Sequence, residues 1–130
     1  SYMQLTPDLS NRIFANALTY LNHPYDFRTF DCVRFIIRVY KEVGIDIPIF
    51  GGVGFPPAEF HLSEEEFARR PIGHSIFFRR KANTTDRIWT HMVLILSPDE
   101  LIHCSSRFGG KVVITPWKDL FELYSHVPKR

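Results

Sequence analysis

The sequence is poor in cysteine, and it lacks long apolar runs and blocks of charge of one sign. Its two cysteines are too few for a disulfide scaffold, and no Cys-x-x-Cys spacing suggests a structural zinc site. No apolar run approaches the roughly 20 residues that span a bilayer, and the amino terminus lacks the basic-then-apolar pattern of a signal peptide. We therefore expect no membrane span, and either a leader already removed or another export route.

The charge balance excludes few classes of binding partner. The formal net charge is +2, and the basic pairs are scattered along the chain rather than gathered in one stripe. This pattern disfavours nucleic-acid binding and is typical of a solvated surface, although an anionic polymer such as a bacterial cell wall would suit it too. With 130 residues, 45% hydrophobic content and twelve Phe, the chain is predicted to fold as a single domain over residues 1–130.

The first part of the chain has the apolar spacing of helices. A first helix is predicted over about residues 9–21, capped by Asp8 or Ser10, and a second over residues 32–43, ended by Gly44. Residues 45–60 then hold too many Gly and Pro for regular structure and predict a long functional loop, which is followed by a short helix over residues 63–69.

The second part of the chain changes to a period of two, which indicates strands. They are predicted at residues 75–79, 88–96, 101–105 and 111–114, and Pro116 opens a closing helix. Because helices come first and hairpin-connected strands follow, we expect an α+β fold with an antiparallel sheet.

Cys32 is the first candidate for chemistry because it falls in the first turn of the second predicted helix. There, unpaired backbone N–H groups and the helix dipole favour thiolate over thiol, and the same N–H groups could stabilise an oxyanion. The alternative is a small buried apolar side chain, which is the common role of an isolated cysteine.

His91 and His103 are the candidates for the base that such a thiol needs. They are twelve residues apart on consecutive predicted strands, so an odd-length hairpin loop would place them as neighbours on one face, pointing towards the start of the second helix. Cys104 would point to the opposite face and is predicted to pack in the core. A zinc site built from Cys32, His91 and His103 remains an alternative.

Three segments together resemble the NlpC-type cell-wall cysteine peptidases, usually called NlpC/p-sixty. Residues 30–35 (Phe-Asp-Cys-Val-Arg-Phe) are similar to the family's Phe-Asp-Cys-Ser-Gly-Phe nucleophile motif. Residues 91–96 (His-Met-Val-Leu-Ile-Leu) resemble its His-Val-Gly-Ile-Tyr-Leu, and residues 101–105 (Leu-Ile-His-Cys-Ser) resemble its Phe-Ile-His-Ala-Ser. The resemblance implies a papain-like fold in which helices pack on an antiparallel sheet and the nucleophile begins a helix.

The resemblance also implies roles for individual residues. Cys32 would be the nucleophile, His91 the base and acid, and His103 the orienting third member of the triad. Asp31 and Tyr25 would lie beside the thiol and bind the substrate's amino end or the oxyanion.

One departure from the family pattern lies next to the nucleophile. Val33 and Arg34 stand where the family has Ser-Gly, so Arg34 places a bulky cation among the residues that face the substrate. We expect an altered cleft, and an inactive relative that serves as a binding module is the alternative from a different class.

The implied function is cleavage of the peptide stem of peptidoglycan, at the bond between D-glutamate and a diamino acid, through a thioester on Cys32. No metal or organic cofactor is needed. The site of action would be secreted or periplasmic. The role would be either wall remodelling or that of a type VI secreted antibacterial toxin, which an immunity protein would inhibit. A cysteine hydrolase of another protein or lipid amide is the alternative substrate class.

Overall fold

The computed structural model describes residues 5–47, 69, 72–80 and 91–125. Two helices come first, α1 (Pro7–Leu18) and α2 (Cys32–Glu42). The strands of a sheet follow, and the short helix α3 lies between the last two of them in the chain. In chain order these elements are β1 (Ser75–Arg80), β2 (His91–Ile95), β3 (Glu100–Ser105), β4 (Lys111–Pro116), α3 (Trp117–Phe121) and β5 (Tyr124–Ser125).

Helix α1 lies slightly earlier in the chain than the apolar spacing predicted. Its N-cap is Thr6, whose hydroxyl accepts from the Leu9 N–H at 3.2 Å, so the prediction of Asp8 or Ser10 as the cap was wrong. Pro7 fits the first helical position because its N–H would have no partner there in any case. The chain leaves the helix after Leu18 and passes through turns to Asn22, which has a left-handed φ of 70°.

Helix α2 has the bounds that the sequence predicted. Asp31 is its N-cap and accepts from the Arg34 N–H at 2.9 Å, while Gly44 takes the expected left-handed conformation, with φ 90°, just after its end. The buried Tyr40 hydroxyl donates to the Gly73 carbonyl at 2.7 Å. This bond ties the carboxyl half of α2 to the residues that lead into β1.

The strands form one antiparallel sheet in the order β4-β3-β2-β1-β5. The β2–β3 hairpin pairs Ile95 with Leu101, which leaves five residues between them and meets the condition of an odd-length loop. The β3–β4 ladder is long, running from Glu100↔Pro116 to Ser105↔Lys111, so β4 extends two residues past the predicted Ile114.

Both faces of the sheet are covered. Because side chains alternate along a strand, the even residues of β2 and β3 face one way and the odd residues the other. Helices α1 and α2 pack with the even set, which includes Met92, Leu94 and Ile102. Helix α3 packs with the odd set through Trp117 and Leu120. The sheet therefore separates two apolar clusters.

Three predicted features lie outside the described residues in whole or in part. They are the loop over residues 45–60 beyond residue 47, the short helix over residues 63–69 apart from Arg69, and the beginning of the second predicted strand at residues 88–90. Of the helices in the described part of the chain, none has both the length and the apolar character required to cross a bilayer.

Candidate active site

Cys32 is the first residue of α2, at the amino end that Asp31 caps. Its side chain is partly buried, and the backbone N–H groups of Met92, Val33 and Cys32 itself lie near enough to the sulfur to lower its pKa. Two of these groups belong to the first turn of α2 and the third to β2. The thiol therefore bridges the start of the helix and the start of the strand that begins with His91.

The thiol occupies a gap between β2 and β3. The Leu96 N–H donates to Glu100 on the β3 side, and because N–H groups alternate in direction along a strand, the Met92 N–H also faces β3. The β2–β3 ladder ends at Leu94↔Ile102, so within these two strands Met92 has no pairing partner in β3. Its N–H lies near the Cys32 sulfur and lowers the pKa of that thiol.

His91 and His103 lie together on one face, as the sequence predicted. As odd residues of β2 and β3, they belong to the face that α3 covers, so the structure does not place them on the face where α2 packs, contrary to the expectation that they point towards its start. His91 Nε2 is 2.6 Å from His103 Nδ1, and the two rings meet nearly edge to face at 4.9 Å between centroids. Both rings are almost fully buried, with 4% and 0% of their surface exposed. Nε2 of His91 is therefore engaged by His103.

Burial sets the protonation states of the site. It raises the pKa of the Cys32 thiol to about 11, with a further increase from the charge of Asp31, and the three N–H groups only partly oppose this. This desolvation opposes the thiolate that the start of the helix favours. Burial also lowers the pKa of His91 to about 4, and that of His103 further. Near pH 7 the site contains a neutral thiol and neutral imidazoles.

Thr115 continues the histidine pair and was missed from the sequence. Its Oγ1 is 2.8 Å from His103 Nε2, and Thr115 is 5% exposed. The ring of Phe108 covers the same histidine, with 5.2 Å between the two centroids. A signal was present, since Thr115 follows His103 by the same twelve residues that separate His103 from His91.

Tyr25 and Asp31 lie near the thiol, as the resemblance implied. Burial raises the pKa of Tyr25, and the charges of Cys32 and Asp31 raise it further, while a hydrogen bond from Ser106 opposes them. Both Tyr25 and Asp31 therefore lie close enough to the thiol to share its electrostatic environment. The Ser106 contact was not anticipated from the sequence.

Arg34 lies on the outer side of the same helix turn. Its Nη1 is 3.1 Å from Asp31 Oδ2 and 3.3 Å from the Phe27 carbonyl, and its side chain is half exposed. Asp31 therefore has two structural duties, because one of its oxygens caps α2 and the other holds this guanidinium. Phe27 is itself 68% exposed and carries the Arg28 guanidinium over its ring at 5.3 Å.

Cys104 takes the packing role that the sequence predicted for it. It is fully buried in the cluster beneath α1 and α2, and its Sγ contacts the Phe30 carbonyl at 3.5 Å. Burial raises the pKa of this thiol to about 12.

The zinc alternative receives no support from the described residues. In that part of the chain, no three His, Cys, Asp or Glu side chains are grouped as metal ligands. His91 Nε2 and His103 Nδ1 are hydrogen-bonded to each other, so neither nitrogen is directed at a shared ion.

Comparison with known proteins places the fold. No protein-family model matches the chain, and no curated protein matches it. Crystal structures of the NlpC/P60 family do match. One, described as similar to a lipoprotein, is an NLP/P60 protein of Staphylococcus aureus subsp. aureus Mu50 with 20% identity and a TM-score of 0.61, covering 98% of this chain and 44% of that one.

A second is an NlpC/P60 protein of Bacillus cereus ATCC 10987 with 21% identity and a TM-score of 0.61, covering 92% of this chain and 40% of that one. The chain thus spans less than half the length of either neighbour. The family of the structural neighbours is the one that the three motifs predicted. The chain has their α+β fold, with helices packed on an antiparallel sheet.

Proposed function

We propose that the protein is a cysteine hydrolase that cuts an amide bond in the peptide stem of peptidoglycan, with Cys32 as nucleophile and His91 as its base. The observation that carries the proposal is the buried His91–His103 pair, next in sequence to Met92, whose backbone N–H lies near the Cys32 sulfur. The NlpC/P60 fold of the structural neighbours supports the same reaction class. The D-glutamate–diamino acid bond is the proposed point of cleavage.

The proposed mechanism begins with a neutral Cys32 thiol and a neutral His91 imidazole. His91 Nδ1 takes the proton of the Cys32 thiol as sulfur attacks the carbonyl carbon, so the thiolate forms only as the C–S bond does. The oxyanion is stabilised by backbone N–H groups at the start of α2, including that of Cys32. The His91 imidazolium then protonates the leaving amine as the C–N bond breaks, which leaves a thioester. Water, deprotonated by His91, hydrolyses it.

The low pKa of His91 favours the second proton transfer and opposes the first, because a group whose pKa is near 4 is a weak base towards a thiol whose pKa is about 11. An imidazole whose pKa is near 4 holds a proton weakly, so the imidazolium is a strong acid towards the departing amine. The imidazolium is short-lived because the same burial that lowers its pKa destabilises its charge. His103 reduces the free-energy cost of that charge by accepting a hydrogen bond from the Nε2–H of His91.

The proposed contacts with substrate come from the turn around Asp31. Arg34 has guanidinium donors beyond the two contacts that hold it, and its exposed half faces solvent beside the nucleophile's helix. A stem peptide carries carboxylates, which a guanidinium binds well. Tyr25 and Asp31 are the proposed contacts for the amino end of the substrate or the oxyanion.

The biological role that we favour is that of a toxin delivered by type VI secretion to the cell wall of a rival bacterium, with an immunity protein as its inhibitor. Housekeeping remodelling of the wall uses the same chemistry. Either role places the action in the periplasm or outside the cell.

A second candidate is a binding module that keeps the fold without catalysis. The raised pKa of Cys32 favours it, because a resting thiol with a pKa of about 11 is almost entirely protonated at pH 7. A hydrolase of another protein or lipid amide is a third candidate, since the cleft beside Arg34 differs from the family pattern.

The decisive experiment is digestion of purified peptidoglycan by the wild type, by Cys32→Ala and by Cys104→Ala, with the released muropeptides resolved by mass. We expect fragments from the wild type and from any folded Cys104→Ala protein, and none from Cys32→Ala. The fragment masses identify the bond. If folded wild-type protein releases nothing from walls of several chemotypes, the proposal is wrong and the binding module becomes the leading candidate.

A further inference from the structure

Three buried side chains form a continuous hydrogen-bonded row across the middle of the sheet. His91 Nε2 meets His103 Nδ1 at 2.6 Å, and His103 Nε2 meets Thr115 Oγ1 at 2.8 Å. The three residues lie on β2, β3 and β4, which are adjacent in the sheet. With exposures of 4%, 0% and 5%, none of them has ready access to water that could replace a missing partner.

Each hydrogen bond in this row has a direction, and the row can run in only two ways. A neutral imidazole carries one proton, so each ring donates through one nitrogen and accepts through the other. If Thr115 Oγ1 accepts from His103 Nε2–H, then His103 Nδ1 accepts from His91 Nε2–H, and His91 Nδ1 carries no proton. If the Thr115 hydroxyl donates instead, every direction reverses and His91 Nδ1 is protonated.

Only the first direction leaves His91 able to act as a base. The imidazolium that forms during the reaction imposes the same condition, because both nitrogens of a protonated His91 donate. His103 must then accept through Nδ1 and keep its own proton on Nε2, where Thr115 Oγ1 is the acceptor in reach. The row is thus consistent with the proposed chemistry only while this oxygen accepts.

We propose that Thr115 is a positioning residue that fixes the tautomers of both histidines and so keeps His91 Nδ1 unprotonated. The proposal rests on the proposed role of His91 as base. Thr115 touches neither substrate nor thiol in this scheme, since it acts through His103. It is almost fully buried, and its hydroxyl oxygen is the functional atom.

The matched variants are Thr115→Val, which keeps the shape and removes the oxygen, and Thr115→Ser, which keeps the oxygen. Leaving His103 Nε2–H without an acceptor in a buried site should favour the other tautomer of His103. His91 would then carry its proton on Nδ1 and could not act as the base. We expect Thr115→Val to lower kcat on peptidoglycan roughly tenfold to a hundredfold with KM little changed, and Thr115→Ser to retain most of the wild-type kcat.

A second readout does not depend on the substrate. Long-range ¹H–¹⁵N NMR spectra report which nitrogen of each histidine carries the proton. We expect the wild type to hold the proton on Nε2 in both His91 and His103, and Thr115→Val to move the proton of His103 to Nδ1. Thr115→Ser should keep the wild-type pattern.

These experiments distinguish a failure of the inference about Thr115 from a failure of the proposed function. A wild-type spectrum with the proton of His91 on Nδ1 overturns the inference, whether or not Thr115→Val folds. A folded Thr115→Val protein with wild-type tautomers and wild-type kcat also overturns it. If the wild type cuts no peptidoglycan, the proposed function fails, and the NMR comparison still decides whether Thr115 sets the tautomers.

Discussion

The backbone N–H of Met92 lies near the sulfur of Cys32, at a position of β2 beyond the end of the β2–β3 ladder. A side chain from the start of α2 is thus near a strand N–H that faces β3 without being paired in the ladder. This relationship brings a helix start and a strand start to one point, and it links the position of the thiol to the position of His91.

The first prediction concerns the titration of Cys32. Because burial raises its pKa to about 11, only about one part in ten thousand should be thiolate at pH 7. The difference in absorbance at 240 nm between wild type and Cys32→Ser should rise with a midpoint near pH 11. Subtracting the variant removes the signal of Cys104. A midpoint at or below pH 8 would show that the helix start dominates over burial.

The second prediction concerns stability in acid. The folded-state pKa of His91 is about 4, below its ordinary value of 6.5, and that of His103 is also lowered. Between these values the unfolded chain binds more protons than the folded one, so the free energy of unfolding falls as pH decreases from 6.5 to 4. Above pH 6.5 the two histidines should contribute no pH dependence.

Urea unfolding of His91→Gln at several pH values tests this linkage. The variant should lose part of the slope of stability against pH between 6.5 and 4, whereas His23→Gln, which changes an exposed histidine, should retain it. Equal slopes in wild type and His91→Gln would contradict the assignment of His91 as a buried neutral group.

The third prediction concerns the cap of α2. Asp31→Ala removes the acceptor of the Arg34 N–H and should lower the free energy of unfolding by about 1 kcal/mol. Asp31→Asn keeps a capping oxygen and loses only the ion pair with the half-exposed Arg34 side chain, so its stability should be close to that of the wild type. Equal losses in the two variants would assign the effect to charge rather than to capping.

The fourth prediction concerns Arg34 and substrate charge. If its guanidinium binds a substrate carboxylate, Arg34→Gln should raise KM for stem peptides roughly threefold to tenfold and leave kcat nearly unchanged. Amidating the substrate carboxylate should raise KM for the wild type and make little further difference to the variant. Arg12→Gln, on the exposed surface of α1, is the matched control. An unchanged KM in Arg34→Gln would remove this residue from the substrate site.

Much of the fold was predictable because strong local signals agreed with it. The apolar face of α2 and Gly44 predicted the bounds of that helix to within one residue before tertiary contacts were known. The even spacing of His91 and His103 placed them on one face, since alternation within strands is a local rule. The bounds of α1 were less secure because Thr6, Asp8 and Ser10 are all acceptable caps.

The remaining features of the site depend on distant parts of the chain. The raised pKa of Cys32 arises from burial, which a local reading of the helix start does not register. Thr115 was missed because its strand was expected to end at Ile114, and the contact that matters crosses from β4 to β3. The Met92 N–H lies beyond the end of the β2–β3 ladder, near the sulfur, and where that ladder ends is a property of the whole sheet.

The β3–β4 ladder is long and the β2–β3 ladder is short, and the residues of the site lie on both sides of the short one. The long β3–β4 ladder makes His103 and Thr115 parts of one stiff ribbon, whereas Cys32 and His91 belong to α2 and the β1–β2 pair, which Tyr40 and Gly73 link. Only two paired positions hold β2 to β3 beside the site. The relative position of His91 and His103 therefore depends on this short ladder between β2 and β3. Small substitutions beside the ladder would change the reactivity of the site without replacing any of its catalytic groups.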